Sequence, residues 1–157
     1  MSEKKKRIAM IASKADIPGA YPPLILATTA AAMDYEVGIF FTFFGLNMLK
    51  KKKLNKLKVT PAGETAMPMP IPQIVGVLPG MTDMATMMMK SWMKGANVAK
   101  LQDLMDIAVE SGVKLIACQM TMDVMRIKRK DLIDECEVGG AATMLEYASE
   151  ADITLYF

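Results

Sequence analysis

The chain contains no histidine in its 157 residues. That absence excludes Ser-His-Asp and Cys-His catalytic pairs within one chain, and with them zinc or iron sites built on imidazole. Cysteine is scarce as well. Cys118 and Cys136 are the only two, too few for a four-thiolate metal site. We expect neither a resident metal nor a cofactor. No secretory signal accompanies the cysteines, so reduced thiols in a cytoplasmic setting are the expectation. Lys4-Lys5-Lys6-Arg7 and the apolar residues 8–12 imitate a signal peptide, but the run stops at Ser13-Lys14-Ala15-Asp16, too early for one. No uninterrupted apolar run reaches the roughly 18–20 residues a spanning helix needs, and no transmembrane segment is expected. The net charge is only +2, too small to make nucleic acid the main partner.

What is present points to an α/β protein. Hydrophobic residues make up 52% of the chain, enough for a real core in one domain of this length. Residues 7–13 form an apolar run without alternation, as strands of a parallel sheet do. Tyr21 to Met33 is an alanine- and leucine-rich helix with Pro22 and Pro23 in its first turn. Glu36 to Thr42 is a second strand, rich in β-branched and aromatic residues. A right-handed β-α-β unit is the default geometry for this order.

The middle of the chain is less regular. A short helical piece over Leu46–Leu49 precedes Lys50-Lys51-Lys52-Lys53, a run that usually means a solvated face, with a phosphate or an acidic partner as the sharper alternative. Alternating prolines (Pro61, Pro68, Pro70, Pro72) forbid a regular helix or central strand over residues 60–72. Residues 73–78 have strand-like composition but run straight into Pro79-Gly80. Thr82 to Lys94 is a helix with Thr82 as N-cap and a narrow polar stripe of Asp83, Thr86, Lys90 and Lys94. Met84, Met87, Met88, Met89, Trp92 and Met93 cover the rest, which predicts an oligomer interface or docking surface. Thioether ligation of Cu(I) is the other use of so many methionines, but apolar helix faces are where methionine fills gaps. The expectation is one domain over 1–157 with an inserted Pro/Met-rich segment over about 54–97.

The carboxyl half is clearer. Lys100 to Ser111 is an amphipathic helix with Leu101, Leu104, Met105 and Ala108 inward and Gly112 as its C′ cap. Val113 to Cys118 is a buried strand, Thr121 to Arg126 a short helix, and residues 128–134 a further turn or two. Cys136-Glu137-Val138 is a very short strand. Gly139-Gly140 then opens a helix through Ser149 with Ala141, Met144, Leu145 and Ala148 inward, and residues 152–157 close the chain as a strand. The glycine pair lacks the further glycine or Lys-Ser/Thr of a phosphate cradle, so close backbone approach is its simpler meaning.

Cys118 is the candidate site. A thiol at the carboxyl edge of a parallel strand, facing the start of a helix, sits where α/β proteins place their chemistry. The helix-terminal N–H groups favour thiolate over thiol. A buried structural cysteine fits the same position equally well.

The stretch from Gly112 to Met125, together with Asp131-Leu132-Ile133, residues 137–143 and Leu78-Pro79-Gly80-Met81 ahead of a Met-rich helix, resembles the DsrE/DsrF/DsrH-like superfamily, in particular its DsrE2 branch. The resemblance implies a three-layer α/β/α fold with a mainly parallel sheet of about five strands. It implies homo- or hetero-oligomers, for this chain a homo-oligomer, often a trimer or hexamer, and a sulfurtransferase or sulfur-carrier role. One cysteine, here Cys118, would take sulfane sulfur as a persulfide and pass it to the thiol of a TusA-like or rhodanese-like partner. The branch has glycine where this chain has Arg126. Cys136 matches no requirement of the family, and no peroxidatic-cysteine motif is present.

The residues agree with that chemistry on their own terms. Persulfide transfer needs a reachable thiolate in surroundings that favour its anion, and needs neither an imidazole base nor a metal. N–H groups near Thr121 and Met122 serve the anion, Asp123 opposes it, and Arg126, Lys128 and Arg129 offset Asp123 if they fold back. Cys136 is either a resolving thiol or incidental. Two other readings remain: a non-enzymatic adaptor docking a membrane or acidic protein through the Met-rich helix and the lysine run, with Cys118 as packing, and a flavodoxin-type nucleotide or flavin binder, which lacks a phosphate-binding loop.

Overall fold

The computed structural model describes residues 5–59 and 78–157. Its strands are β1 (Arg7–Ala12), β2 (Glu36–Phe41), β3 (Lys114–Cys118), β4 (Glu137–Gly139) and β5 (Ile153–Tyr156). The helices are α1 (Ile17–Ala32), α2 (Met81–Gly95), α3 (Leu101–Glu110), α4 (Gln119–Val124) and α5 (Ala141–Ser149). All pairings between these strands are parallel, in the order β4-β3-β2-β1-β5. The fold is a three-layer α/β/α sandwich around a five-stranded parallel sheet. Within it, Met1–Lys56 and Lys100–Phe157 form one compact unit and Leu57–Ala99 a second.

The three central strands are apolar on both faces because both faces are covered, whereas the edge strands β4 and β5 are largely exposed. Met10, Ala12, Ile39, Phe41, Leu115 and Ala117 are essentially sealed from solvent. On the α5 face Ala9, Phe40, Ile116, Cys118, Met144 and Tyr147 form one cluster. α3 buries Leu101, Leu104, Met105 and Ala108 as its periodicity predicts, and Gly112 ends it with φ 75, a left-handed conformation that glycine adopts without penalty.

Several local expectations are corrected. α1 begins at Ile17 with Pro18 in its first turn, so Pro22 and Pro23 lie inside it. The missing N–H groups are those that would have bonded Pro18 and Gly19. The helical piece after β2 starts at Phe43 and runs to Leu49 as 3-10 helix. In α5 the inward residues are Met144 and Tyr147, while Ala141 and Leu145 face solvent. The large aromatic wins the inward position because Gly38 of β2 leaves room for it: a Cβ there would stand 2.5 Å from the Tyr147 ring.

In the second unit, the residue flanking the start of α2 is Gly80, with φ 90, in place of Thr82. Thr86 leaves the expected polar stripe and is buried; its hydroxyl accepts from the Val59 N–H (3.0 Å) and donates to the Thr82 carbonyl (2.7 Å). Met84, Met87, Met88 and Trp92 are exposed. The expected loop over residues 60–72, and residues 73–77 of the expected strand after it, lie outside the described residues.

Candidate functional site

Register decides what surrounds Cys118. β2 and β3 pair Phe40 with Ile116 and Phe41 with Ala117, so one step further Thr42 comes level with Cys118. Alternation puts Phe40, Thr42, Ile116 and Cys118 on the same side of the sheet. On the other side of β3, Cys118 pairs with Gly139, where a Cβ would meet Ile116 Cγ2 at 2.9 Å and Thr143 at 3.1 Å. The close approach expected of the double glycine is therefore found at Gly139.

The chain turns directly from Cys118 into α4, with Cys118 in the N-cap position. Thr121 follows one turn later and is buried. Its hydroxyl oxygen accepts the Phe43 N–H at 3.0 Å and stands 3.2 Å from the Thr42 hydroxyl. Phe43 is held at φ 46, a left-handed conformation rare for an aromatic residue. That turn sends the backbone N–H of Phe43 toward Thr121. Because Thr121 already accepts from Phe43, its own proton is available to an acceptor nearby.

The Cys118 sulfur, once ionised, is such an acceptor. Burial pushes the Cys118 thiol up, but the hydroxyl and N–H of Thr121, the hydroxyl of Thr42 and the N–H of Met120 together outweigh it, and the thiol is held below its ordinary value. Hydrogen bonds donated to the charged form are what lower an acid's pKa. Cys118 makes no side-chain capping bond to α4. The N–H groups involved are those of Met120 and Thr121, one residue earlier than the sequence suggests.

The structure corrects one expectation about access. Cys118 is only 4% exposed, because β3 ends on the face that α5 covers. Phe43, Phe44, Met120 and Val124, which border it along the chain and at the end of β2, are all exposed. The thiol thus lies beneath the carboxyl edge of the sheet, next to an apolar surface.

The charged neighbours do not behave as the sequence suggests. The Asp123 carboxylate accepts a hydrogen bond from the Gln119 side chain (2.9 Å). Arg129 does not fold back to the thiol. Its guanidinium donates to the carbonyls of Ile133 (2.9 Å), Asp134 (3.0 Å) and Cys136 (2.8 Å), clamping the loop before β4. Cys136 is buried and donates its own thiol proton to the Ile133 carbonyl (3.2 Å). Burial raises its pKa, against a lowering by Arg129. Cys136 is therefore held as a neutral thiol. Among the described residues no group of histidine, cysteine or carboxylate side chains is placed to hold a metal ion.

Residues 4–156 match the model of the DsrE/DsrF/DrsH-like family. The chain belongs to this family. Within it the chain stands on the DsrE2 branch: it is 48% identical over 159 residues to the sulfur carrier protein DsrE2 of Allochromatium vinosum, covering 98% of this chain and 99% of that one. It is also 35% identical over 166 residues to the uncharacterized protein YrkE of Bacillus subtilis, covering 99% of each. Among solved structures, the crystal structure of ychN from E. coli aligns with a TM-score of 0.61 at 16% identity, over 98% of this chain and 100% of that one. That likeness establishes the DsrE-like fold.

Arg126 has φ 53, a left-handed turn that glycine makes without strain, and this chain makes it with a side chain attached. Of the two residues whose hydroxyls act on the thiol, the sequence points to Thr121 for its N–H group alone and does not single out Thr42 at all. Thr121 lies at the short spacing of a capping partner, which is a weak local signal. Thr42 carries no local signal, since only the sheet order brings it to β3.

Proposed function

We propose that the protein carries sulfane sulfur as a persulfide on Cys118 and passes it to a partner thiol. The observation that carries this reading is the set of donors from Thr42, Met120 and Thr121 that favours the Cys118 thiolate. The Cys118 thiolate attacks the outer sulfur of a polysulfide or protein persulfide, forming a new S–S bond as the donor's S–S bond breaks; the donor leaves as a polysulfide anion one sulfur shorter or as a protein thiolate. In the second step the partner's thiolate attacks the outer sulfur and Cys118 departs as thiolate. Neither step changes the number of electrons held by the pair, and neither needs a metal or an imidazole base. The relationship to a sulfur carrier protein of the same branch supports the reading.

The partners we propose are a TusA-like or rhodanese-like protein in the cytoplasm, and the acting form is a trimer or hexamer. No described helix is long and apolar enough to cross a membrane. Because Cys118 is 4% exposed, small sulfane donors have easier access than a protein thiol. Delivery to a protein requires local opening at the edge where Phe43, Phe44, Met120 and Val124 are exposed.

Intact mass spectrometry after polysulfide treatment tests the proposal. A sulfur adduct on the wild type, removed by cyanolysis and missing from Cys118→Ser, is expected. A wild type that stays unmodified, or a Cys118→Ser variant that loads equally, overturns it. An adaptor role is favoured by one observation, the exposure of Met84, Met87, Met88 and Trp92 on α2. Under that reading charge at Met87 and Met88 abolishes partner capture while Cys118→Ala leaves it intact.

A further inference from the structure

Five lysines fall within seven residues, Lys50 to Lys53 and Lys56. A flat solvated face is the usual meaning of such a run, and the fold gives it another shape. The segment leaves the site at Phe43, runs as 3-10 helix to Leu49 and curls back through a second 3-10 turn at Leu54–Lys56. It is stapled to the loop before β4 by Lys51 N–H to Asp131 carbonyl (3.0 Å) and Ile133 N–H to Leu49 carbonyl (2.9 Å). The result is a hollow of about 580 Å³, floored by Met48, Leu54, Met105 and Ile133 and rimmed by Lys50, Lys51, Lys52 and Lys56.

The rim carries more positive charge than its neighbours neutralise. Among the described residues, Lys51 has an ion pair, with Asp134 at 3.0 Å; no pair is formed by Lys50, Lys52 or Lys56. Asp131 offsets part of the field at Lys50, whose pKa is nonetheless lowered by burial and by Lys53. Lys52 sits at φ 63, a conformation that asparagine or glycine adopts more readily. A cationic rim only partly compensated by Asp134 and Asp131, over an apolar floor, fits a ligand with several negative charges and an apolar side chain between them.

We propose that this hollow docks an acidic segment of the partner protein that exchanges sulfur with Cys118. The part about sulfur rests on the function proposed above; the docking itself does not. Small-molecule sites orient their ligand with a few buried, fixed polar groups, whereas the lysines at positions 51, 52 and 56 are exposed donors on long side chains. No arginine or aromatic side chain lines the hollow, which argues against phosphate forks and stacked bases. Position agrees as well. The segment that begins at Phe43, beside Thr121, ends in the rim after seven residues of 3-10 helix, about 14 Å at a rise of about 2 Å per residue. A docked partner's chain would therefore lie within reach of the carboxyl edge above Cys118.

The test uses the full chain and a fluorescein-labelled Glu-Glu-Leu-Glu-Glu peptide, read by anisotropy. Saturable binding is expected, weakened by about tenfold or more in K52E/K56E and by raising NaCl from about 50 to about 500 mM. If K52E/K56E loses its native circular dichroism, K52Q/K56Q takes its place with a smaller loss expected. Absence of peptide binding, or equal binding by the charge variants, overturns the proposal. So does displacement of the peptide by pyrophosphate or a single-stranded oligonucleotide at lower concentration than by unlabelled peptide. Polysulfide loading of Cys118 is measured in parallel and is expected to be unchanged in K52E/K56E. If the wild type binds the peptide but does not load, the sulfur-carrier reading fails and the docking site stands.

Discussion

The hydroxyl oxygens of Thr42 and Thr121 lie 3.2 Å apart although 79 residues separate them in sequence. They meet where β2 ends and α4 begins, and both act on the Cys118 sulfur. The candidate site is therefore a junction between two loops of the sheet's carboxyl edge.

Removing either hydroxyl should raise the thiol pKa. A hydrogen bond to a charged group is worth about 1.5–3 kcal/mol, which corresponds to about one to two pKa units. In a Cys136→Ser background, the pH profile of iodoacetamide alkylation should therefore shift upward in Thr121→Val, and by less in Thr42→Val. The sign also fixes a stability effect. A thiol depressed in the folded state contributes stability above its unfolded pKa and loses it as pH falls through the folded one. The wild type should gain stability relative to Cys118→Ser as pH rises toward 9.0, the ordinary value for this thiol. Unchanged alkylation midpoints in both threonine variants would refute this account of the site.

Gly45 tests how the 3-10 segment supports that junction. Its N–H donates to the Ser13 carbonyl (3.0 Å), and a Cβ would collide with the backbone carbonyl of Ala12. Backbone cannot swing aside as a flexible side chain does. Gly45→Ala should cost about 3 kcal/mol or more in urea unfolding and should raise the Cys118 alkylation midpoint, because Thr42 and Phe43 move with the segment. A fully stable variant would show that the β1–Gly45 approach is not needed.

Arg126 should respond the other way. At φ 53 a side chain carries strain that glycine avoids. Arg126→Gly should raise stability by about 0.5–1 kcal/mol, read as a higher melting temperature. A lower one would mean that the Arg126 side chain makes a compensating contribution.

Tyr147 gives a prediction at high pH. Its hydroxyl is buried without a hydrogen-bond partner. Burial, then the charge of Glu36, push its pKa up to about 12, against a lowering by Arg7, whose guanidinium lies over the ring at 4.8 Å. For an acid whose folded pKa is raised, stability is complete below the unfolded value of 10.0 and falls as pH rises toward the folded one. The wild type should thus lose about 2–3 kcal/mol relative to Tyr147→Phe between pH 10 and 12. At pH 7 the variant should be at least as stable, since it removes an unpaired polar atom. Parallel denaturation curves at both pH values check this.

Composition gave the residue types of the Met-rich helix and the lysine run but not their surroundings. Apolar residues on most of α2 predict an oligomer interface or docking surface, and Met84, Met87 and Trp92 are exposed. The lysine run predicts a solvated face; Lys51, Lys52, Lys53 and Lys56 are exposed, and the backbone wraps the run around Leu54 and Met48. Leu145 and Tyr147 exchanged the places expected of them because a glycine on another strand, Gly38, opened the space.

The amino-acid sequence by itself determined the element types, the five apolar strands, the Gly112 cap, the family and the cysteine at the end of β3. Each of these follows from local periodicity, backbone preference or a motif whose residues are contiguous. Tertiary structure alone decided that Cys118 is buried, that Thr42 joins Thr121 beside it, that Arg129 is spent on carbonyls, and that the lysines enclose a hollow. Those outcomes depend on strand order and register. In a parallel sheet these are set by crossovers tens of residues long, so no short window of sequence contains both partners.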